Sequence, residues 1–179
     1  MELLTPRLHV DALRDDDAEA LFACRADPAV ARFQGWCPVD VVAARDFIAA
    51  QPTPPEASGW FQRAIRLRDT GQLIGDLGVN LPEEAEGSVE FGISIAPAHQ
   101  GSGYASEAIR AMFAFVFGKL DRHRIHASVD PRNFACMVML RALGMRQEVH
   151  HHESWVDDVI FAMLARERHA DPATAVHRG

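Results

Sequence analysis

The sequence predicts one mixed domain of helices and strands, in the α/β (α+β) class. Two periodicities and one junction carry that reading. Apolar residues alternate with a period of two through much of 59–95, as on half-buried strands. They recur at helical spacing near 16–26, 39–50, 102–117 and 133–143. A glycine-rich loop joins a strand pattern ending at Ile95 to a helical pattern opening at Ser102.

The elements follow in chain order. Leu8, Val10 and Ala12 alternate with polar neighbours and predict a strand over 7–13. Asp15, Asp16 and Asp17 supply an N-cap and first-turn acid for a helix over 16–26, with Ala18, Leu21, Phe22 and Arg25 at helical spacing. Asp27-Pro28 ends it. Val42, Phe47 and Ile48 give one face to a helix over 39–50, and the proline-rich run 52–58 is a loop, expected to be mobile. Phe61, Ile65 and Leu67 suit a strand over 59–68, Asp69-Thr70-Gly71-Gln72 a turn, and 73–81 the paired strand. An acidic loop from Pro82 to Gly87 leads to a strand over 88–95, which Pro97 stops. Ala108, Met112, Phe115 and Val116 form the apolar face of the strongest helix. A strand over 124–129, a helix over 133–143 stopped at Gly144, and strands over 145–153 and 157–166 complete the domain. The boundary falls at 1–167, with a polar tail over 168–179.

Composition narrows the function. The chain has 179 residues, 48% hydrophobic and 24% charged, enough for one core without disulfide staples. Three cysteines with no CxxC pair argue against a disulfide framework and a zinc finger. A net charge of −7, with Lys119 the only lysine, argues against nucleic acid as a partner. A small anion would need a site built locally, from backbone amides. No apolar run approaches the ~20 residues of a membrane helix, and Met1 to Pro6 lacks a basic stretch before an apolar run, so the expected compartment is cytoplasmic with no membrane partner.

The loop Gln100-Gly101-Ser102-Gly103-Tyr104-Ala105 carries the most information. Its glycines permit close backbone approach, and the helix it opens offers unpaired N–H groups and a positive dipole end. That suits phosphate or pyrophosphate, and it suits a plain tight turn as well. A dinucleotide fingerprint is disfavoured because Ser106 stands where the third glycine belongs, and no Walker loop is present.

The same six residues match the Q/R-x-x-G-x-G/A signature of the GNAT superfamily of N-acetyltransferases. Glu90 to Ile95 resembles that family's preceding strand. Thr5-Pro6-Arg7-Leu8, Gly71 to Gly75, Arg124 to Asn133, and Asn133-Phe134-Ala135-Cys136 through Leu143-Gly144-Met145 resemble its Rim-type branch, similar to the ribosomal-protein N-terminal acetyltransferases. The matches run in order over roughly residues 5–165.

The resemblance implies a twisted, mostly antiparallel mixed sheet of six to seven strands flanked by about four helices. Two parallel central strands, 88–95 and 124–129, would splay apart. It implies acetyl transfer from acetyl-CoA to a primary amine by direct attack. A protein N-terminal α-amine is the favoured acceptor. The alternatives are a small amine, such as a polyamine or aminoglycoside, or a non-catalytic acyl-CoA-binding module. The acidic balance would favour a cationic acceptor. By resemblance, Phe91, Gly92, Ile93, Ser94 and Ile95 lie along the pantetheine arm, Gln100, Gly101, Ser102, Gly103, Tyr104 and Ala105 hold the pyrophosphate, and Asn133 and Cys136 contact the cofactor. A homodimer is common in proteins that resemble this one.

Such a reaction needs a base for the amine, a donor for the thioester oxygen and a proton source for the thiolate. Glu90 is one base candidate. Glu153, beside His150, His151 and His152, is the second. Cys136 stands where the branch commonly has serine. A thiol donates hydrogen bonds weakly but is more acidic than an alcohol, so it remains a candidate proton donor. The single tyrosine, Tyr104, lies in the loop, which argues against a tyrosine acid. His126, where the branch commonly has Glu, receives no role. No metal site is expected, because adjacent histidines on a strand point to opposite faces. Trp36 and Trp60 either shape the acceptor end or, more commonly for such residues, pack in the core, and Cys24 and Cys37 read as small buried residues.

Overall fold

A computed structural model describes residues 1–52, 58–84, 87–148 and 158–170. One eight-stranded sheet organises it, in the order β1-β2-β3-β4-β5-β6-β8-β7. The strands are β1 (Leu3–Leu4), β2 (Leu8–Ala12), β3 (Gly59–Leu67), β4 (Leu73–Leu81), β5 (Val89–Ile95), β6 (Arg124–Val129), β7 (Arg146–Glu148) and β8 (Val159–Leu164). Every neighbouring pair is antiparallel except β5–β6. That pair holds only two rungs, Val89↔Ile125 and Glu90↔His126, and then parts. The eighth strand is the two-residue β1, too short to leave a periodic signal. The β3–β4 hairpin turns through Gly71, whose φ of +72° is cheap only for glycine.

The helices are α1 (Ala18–Arg25), α2 (Pro28–Ala31), α3 (Val41–Ala49), α4 (Tyr104–Gly118) and α5 (Phe134–Ala142). α4 buries Ala108, Ile109, Met112, Phe113, Val116 and Phe117 in the main core, with Phe61, Ile65, Leu77, Val79 and Phe91 of the sheet. Asp76 and Gly78 alternate with Leu77 and Val79, so they face the other way. There α1 and α3 form a second, smaller core of Ala18, Leu21 and Ile48. The short α2 was absent from the sequence reading. Asp27 both ends α1 and caps α2, accepting from the Ala29 amide at 2.8 Å, with Pro28 in its first turn.

Several expectations need correction. Asp17 does not cap the first helix with its side chain. Its carboxylate is drawn to Arg66, whose Nη1 donates to Oδ1 at 2.6 Å, while Arg66 Nε donates to Asp11 at 2.8 Å. Both ends of this cluster are buried, and residues 15–17 form a 3-10 turn instead. Val42 does not share the buried face of α3. Ala44 and Ile48 do, and Val42 is exposed. Cys24 is buried as expected, but Cys37 is exposed. Residues 53–57, most of the loop expected to move, lie outside the described residues, and so do Glu153 and His150 to His152.

Candidate active site

Two cavities flank the gap where β5 and β6 part. The first, about 480 Å³, is walled by Ile93 to Ile95, the 99–106 loop, α2 and the start of α5. The second, about 430 Å³, is walled by Trp36, Trp60, Gln62, Glu90, Gly92 and Asp130, among others. They share five wall residues, Phe33, Gln34, Ile93, Asn133 and Cys136. The molecule thus offers one site with two mouths and a common seam, each of a size that suits a small ligand.

The first cavity is lined by a helix N-terminus that suits an anion. Gly101 and Gly103 sit at φ +74° and +81°, which turns the chain sharply into α4. No side chain caps this helix. The Gln100 amide is satisfied by the Pro97 carbonyl at 3.2 Å, and its side chain donates to the Ile95 carbonyl at 2.8 Å. Gln100 therefore shapes the loop, and the run of available amides begins one residue later than expected. From Gly101 to Ser106 no backbone amide has an acceptor among the described residues. Unpaired amides at a helix N-terminus are a ready phosphate cradle.

The loop is braced from the N-terminal segment. Arg7 Nε donates to Glu107 Oε2 at 2.7 Å, Arg7 Nη1 to the Ser102 carbonyl at 2.9 Å, and the Thr5 hydroxyl to Glu107 Oε1 at 2.6 Å. The Arg7 guanidinium also lies over the Tyr104 ring at 4.5 Å. Burial works against the Glu107 charge, but the Thr5 hydroxyl and the Arg7 amide and guanidinium outweigh it and hold the carboxyl below its usual range. The Thr5-Pro6-Arg7 segment is thus a brace for the loop, a role its spacing 95 residues upstream could not reveal.

Along β5, residues 91 to 95 pair with β4 on one side only, so alternate backbone groups on the other side face the gap. Ser94 lines the first cavity and its buried hydroxyl has no hydrogen-bond partner. Phe91, Gly92 and Ile93 wall the second cavity, and Ile93 reaches the seam. Asn133 caps α5, its Oδ1 accepting from the Cys136 amide at 3.1 Å. That leaves the side-chain NH₂ of this seam residue for another partner. Cys136 is half-buried in the seam, and burial pushes its thiol up to about 11. It stays protonated at neutral pH and can donate a proton but is no nucleophile. Cys24, pushed up to about 12 by burial and then by Asp76, is inert packing.

The second cavity carries the base candidate. Glu90 is on the last rung of the β5–β6 pairing, with the Ser128 hydroxyl 3.5 Å from Oε1. Asp130, also in this wall, is claimed by Arg132, which holds its carboxyl down to about 2. Glu90 has no arginine partner among the described residues. Trp36 stacks on Phe47 with ring centroids 4.1 Å apart, and Trp60 is half exposed at the rim. Gln62 was missed by the sequence reading. It lies flat over Gly78, where a Cβ would meet its amide nitrogen at 2.6 Å, and its buried Oε1 has no partner. Arg25 was read only as a helix position, yet it is a buried strut to Asp76 and the 34–36 segment.

The profile of the Acetyltransferase (GNAT) domain matches residues 7–146. The chain belongs to the GNAT acetyltransferase family. The uncharacterized N-acetyltransferase p20 of Bacillus licheniformis is 30% identical over 92% of this chain and 97% of its own length. Among solved structures, a GNAT-family acetyltransferase from Bacillus anthracis superposes with a TM-score of 0.79 at 23% identity, covering 93% of this chain and 99% of its own. Mycobacterium smegmatis RimJ, solved in complex with CoA-disulfide, superposes at 0.77 with 22% identity, over 93% of this chain and 87% of its own. GNAT enzymes use acetyl-CoA, and this member has features that fit it. The amides of 101–106 suit a pyrophosphate, and the open backbone edge of β5 with the orphaned Ser94 hydroxyl suits a polar arm. An N-acetyltransferase joins acetyl to an amine, and the two mouths allow donor and acceptor to approach from opposite sides.

Proposed function

We propose that this GNAT enzyme acetylates protein N-terminal α-amines, with the donor in the first cavity and the acceptor in the second. The observation that carries it is the seam: two separate cavities share Ile93, Asn133 and Cys136. A reacting carbonyl and amine brought in from opposite mouths meet only there. Bound acetyl-CoA supplies an activated thioester. The amides of Gly101 to Ser106 hold its pyrophosphate, and the free backbone groups of Phe91 to Ile95 line its arm. Glu90 accepts the ammonium proton of the acceptor, directly or through one water, which frees the nitrogen lone pair for attack. The Cys136 S–H donates at the seam, where the thiolate leaves. Gln62 Oε1 accepts an N–H of the incoming amine. The half-exposed Trp60 leaves the acceptor mouth open to a chain that continues outward, which favours a peptide over an enclosed small amine.

The test is thiol release from acetyl-CoA with N-terminal peptides, a polyamine and an aminoglycoside as acceptors. A peptide should have the highest kcat/KM, by about 10-fold or more. Preference for a small amine overturns the acceptor assignment. KM for the acceptor should rise with ionic strength, because Glu90 attracts a cation, and a flat response removes that attraction. A second measurement addresses Cys136. Cys136→Ala should lower kcat by about 10-fold, at the low end for a proton-transfer group, while Cys136→Ser keeps or raises it. Unchanged kcat in the alanine variant shows that the thiol only packs.

A further inference from the structure

The last rung of the parallel β5–β6 pairing sets an acid beside a histidine. Glu90 and His126 are Cα partners, and His126 Nε2 lies 4.0 Å from Glu90 Oε2. Behind the ring runs a chain of polar contacts. The Ser88 hydroxyl is 2.8 Å from His126 Nδ1, Arg124 Nη1 donates to the same hydroxyl at 2.6 Å, and Arg124 Nη2 pairs with Glu148 at 2.6 Å. A serine hydroxyl has one proton, and an arginine can only donate to it. In the tautomer in which Nδ1 takes the Ser88 proton, the neutral ring carries its own proton on Nε2, toward Glu90.

We infer that His126 is a positioning residue for Glu90, holding one carboxylate oxygen in place so that the other faces the acceptor. It rests on Glu90 being the base. His126 lines neither cavity, so it acts on the reaction only through the carboxylate. The charged groups around the ring are Glu90 on β5, Arg124 on its own strand and Glu148 on β7; its β8 partner, Ala162, is neutral. Burial sets the ring below the ordinary histidine value against the pull of Glu90, with Arg124 adding to it and the Val89 carbonyl and Glu148 opposing. The ring is thus neutral at pH 7. Below its own pKa it becomes an imidazolium paired with Glu90, which makes the carboxylate a poorer base.

The test is kcat against pH for the full chain and for His126→Phe, His126→Gln, Glu90→Gln and the Glu90→Gln/His126→Phe double variant, with the best acceptor found. His126→Phe should lower kcat by about 10- to 100-fold, the cost of letting a base shift by up to about 1 Å. KM for acetyl-CoA should stay within about twofold, because His126 is not part of the first cavity's wall. His126→Gln, whose amide can accept from Ser88 and donate to Glu90, should recover most of the loss and displace the acid limb of the profile. The double variant should be no slower than Glu90→Gln alone. If His126→Phe keeps kcat while Glu90→Gln loses it, the positioning role is overturned and Glu90 remains the base. If Glu90→Gln keeps kcat, the base assignment falls and the role of His126 falls with it. Should His126→Phe fail to fold, His126→Gln decides, and an unchanged acid limb overturns the inference.

Discussion

Asp76→Asn is expected to destabilise the fold by about 3–5 kcal/mol, the usual cost of removing one partner of a buried ion pair. Domains of this kind have only ~5–15 kcal/mol to lose. Asp76 is fully buried, and the Arg25 side chain is 7% exposed. The pair is bidentate, with Nε to Oδ1 at 3.0 Å and Nη2 to Oδ2 at 2.5 Å. Asparagine keeps the shape but leaves the Arg25 charge in the interior without its counter-ion. The function should suffer as well, because the same guanidinium reaches the Trp36 carbonyl at 3.4 Å and Gln34 at 3.5 Å. Gln34 walls both cavities, so KM for donor and acceptor should rise together. A second variant separates the two effects. Arg25→Met with Asp76→Leu removes both charges, and such swaps are often neutral or stabilising. It should recover much of the stability without restoring the low KM values, since nothing then ties the 34–36 segment to β4. Urea denaturation of Asp76→Asn, read at its midpoint, checks the first claim. A loss below about 1 kcal/mol would mean that Arg25 finds other partners or water.

Local pattern made most of the fold legible. The β3–β4 hairpin and α4 behind its glycine loop follow from short runs of residues, and the parting of β5 and β6 from the family resemblance that those runs carry. What stayed hidden was long-range or against type. Asp17 looked like a helix cap because capping is local, whereas its partner Arg66 lies 49 residues away. Arg25 stood out only by its helical spacing, since arginine is seldom buried unless paired, and its pair is 51 residues distant. The candidate site divides the same way. The glycine loop, Glu90, Asn133 and Cys136 stood out from motif and position, and the structure gathers them around one gap. Gln62 carries no motif, and Arg7 and His126 lie in matched segments that say nothing of their partners. They matter through the residues they touch across the sheet or loop, and only strand register could bring them into view.

Gly103→Val is expected to weaken CoA binding by about 100-fold or more. Gly103 sits at φ +81°, where a β-branched residue is a strong outlier costing ~1–3 kcal/mol. Space is not the obstacle, because an added Cβ meets only Arg7 Nη2, at 3.4 Å. The chain relieves the strain by rotating the peptide, and that re-aims the amides of the 101–106 run away from the anion. Losing two hydrogen bonds to a charged phosphate, at about 1.5–3 kcal/mol each, accounts for the factor. Gly71→Val is the control. Gly71 has φ +72° with nothing within 4 Å, and it lies in the β3–β4 turn away from both cavities. It should lose similar stability and bind CoA as before. Titration calorimetry of both variants with CoA separates strain in general from strain in the cradle. If Gly103→Val binds within about threefold of the parent, well short of a single lost hydrogen bond to a charge, the amides do not hold the pyrophosphate.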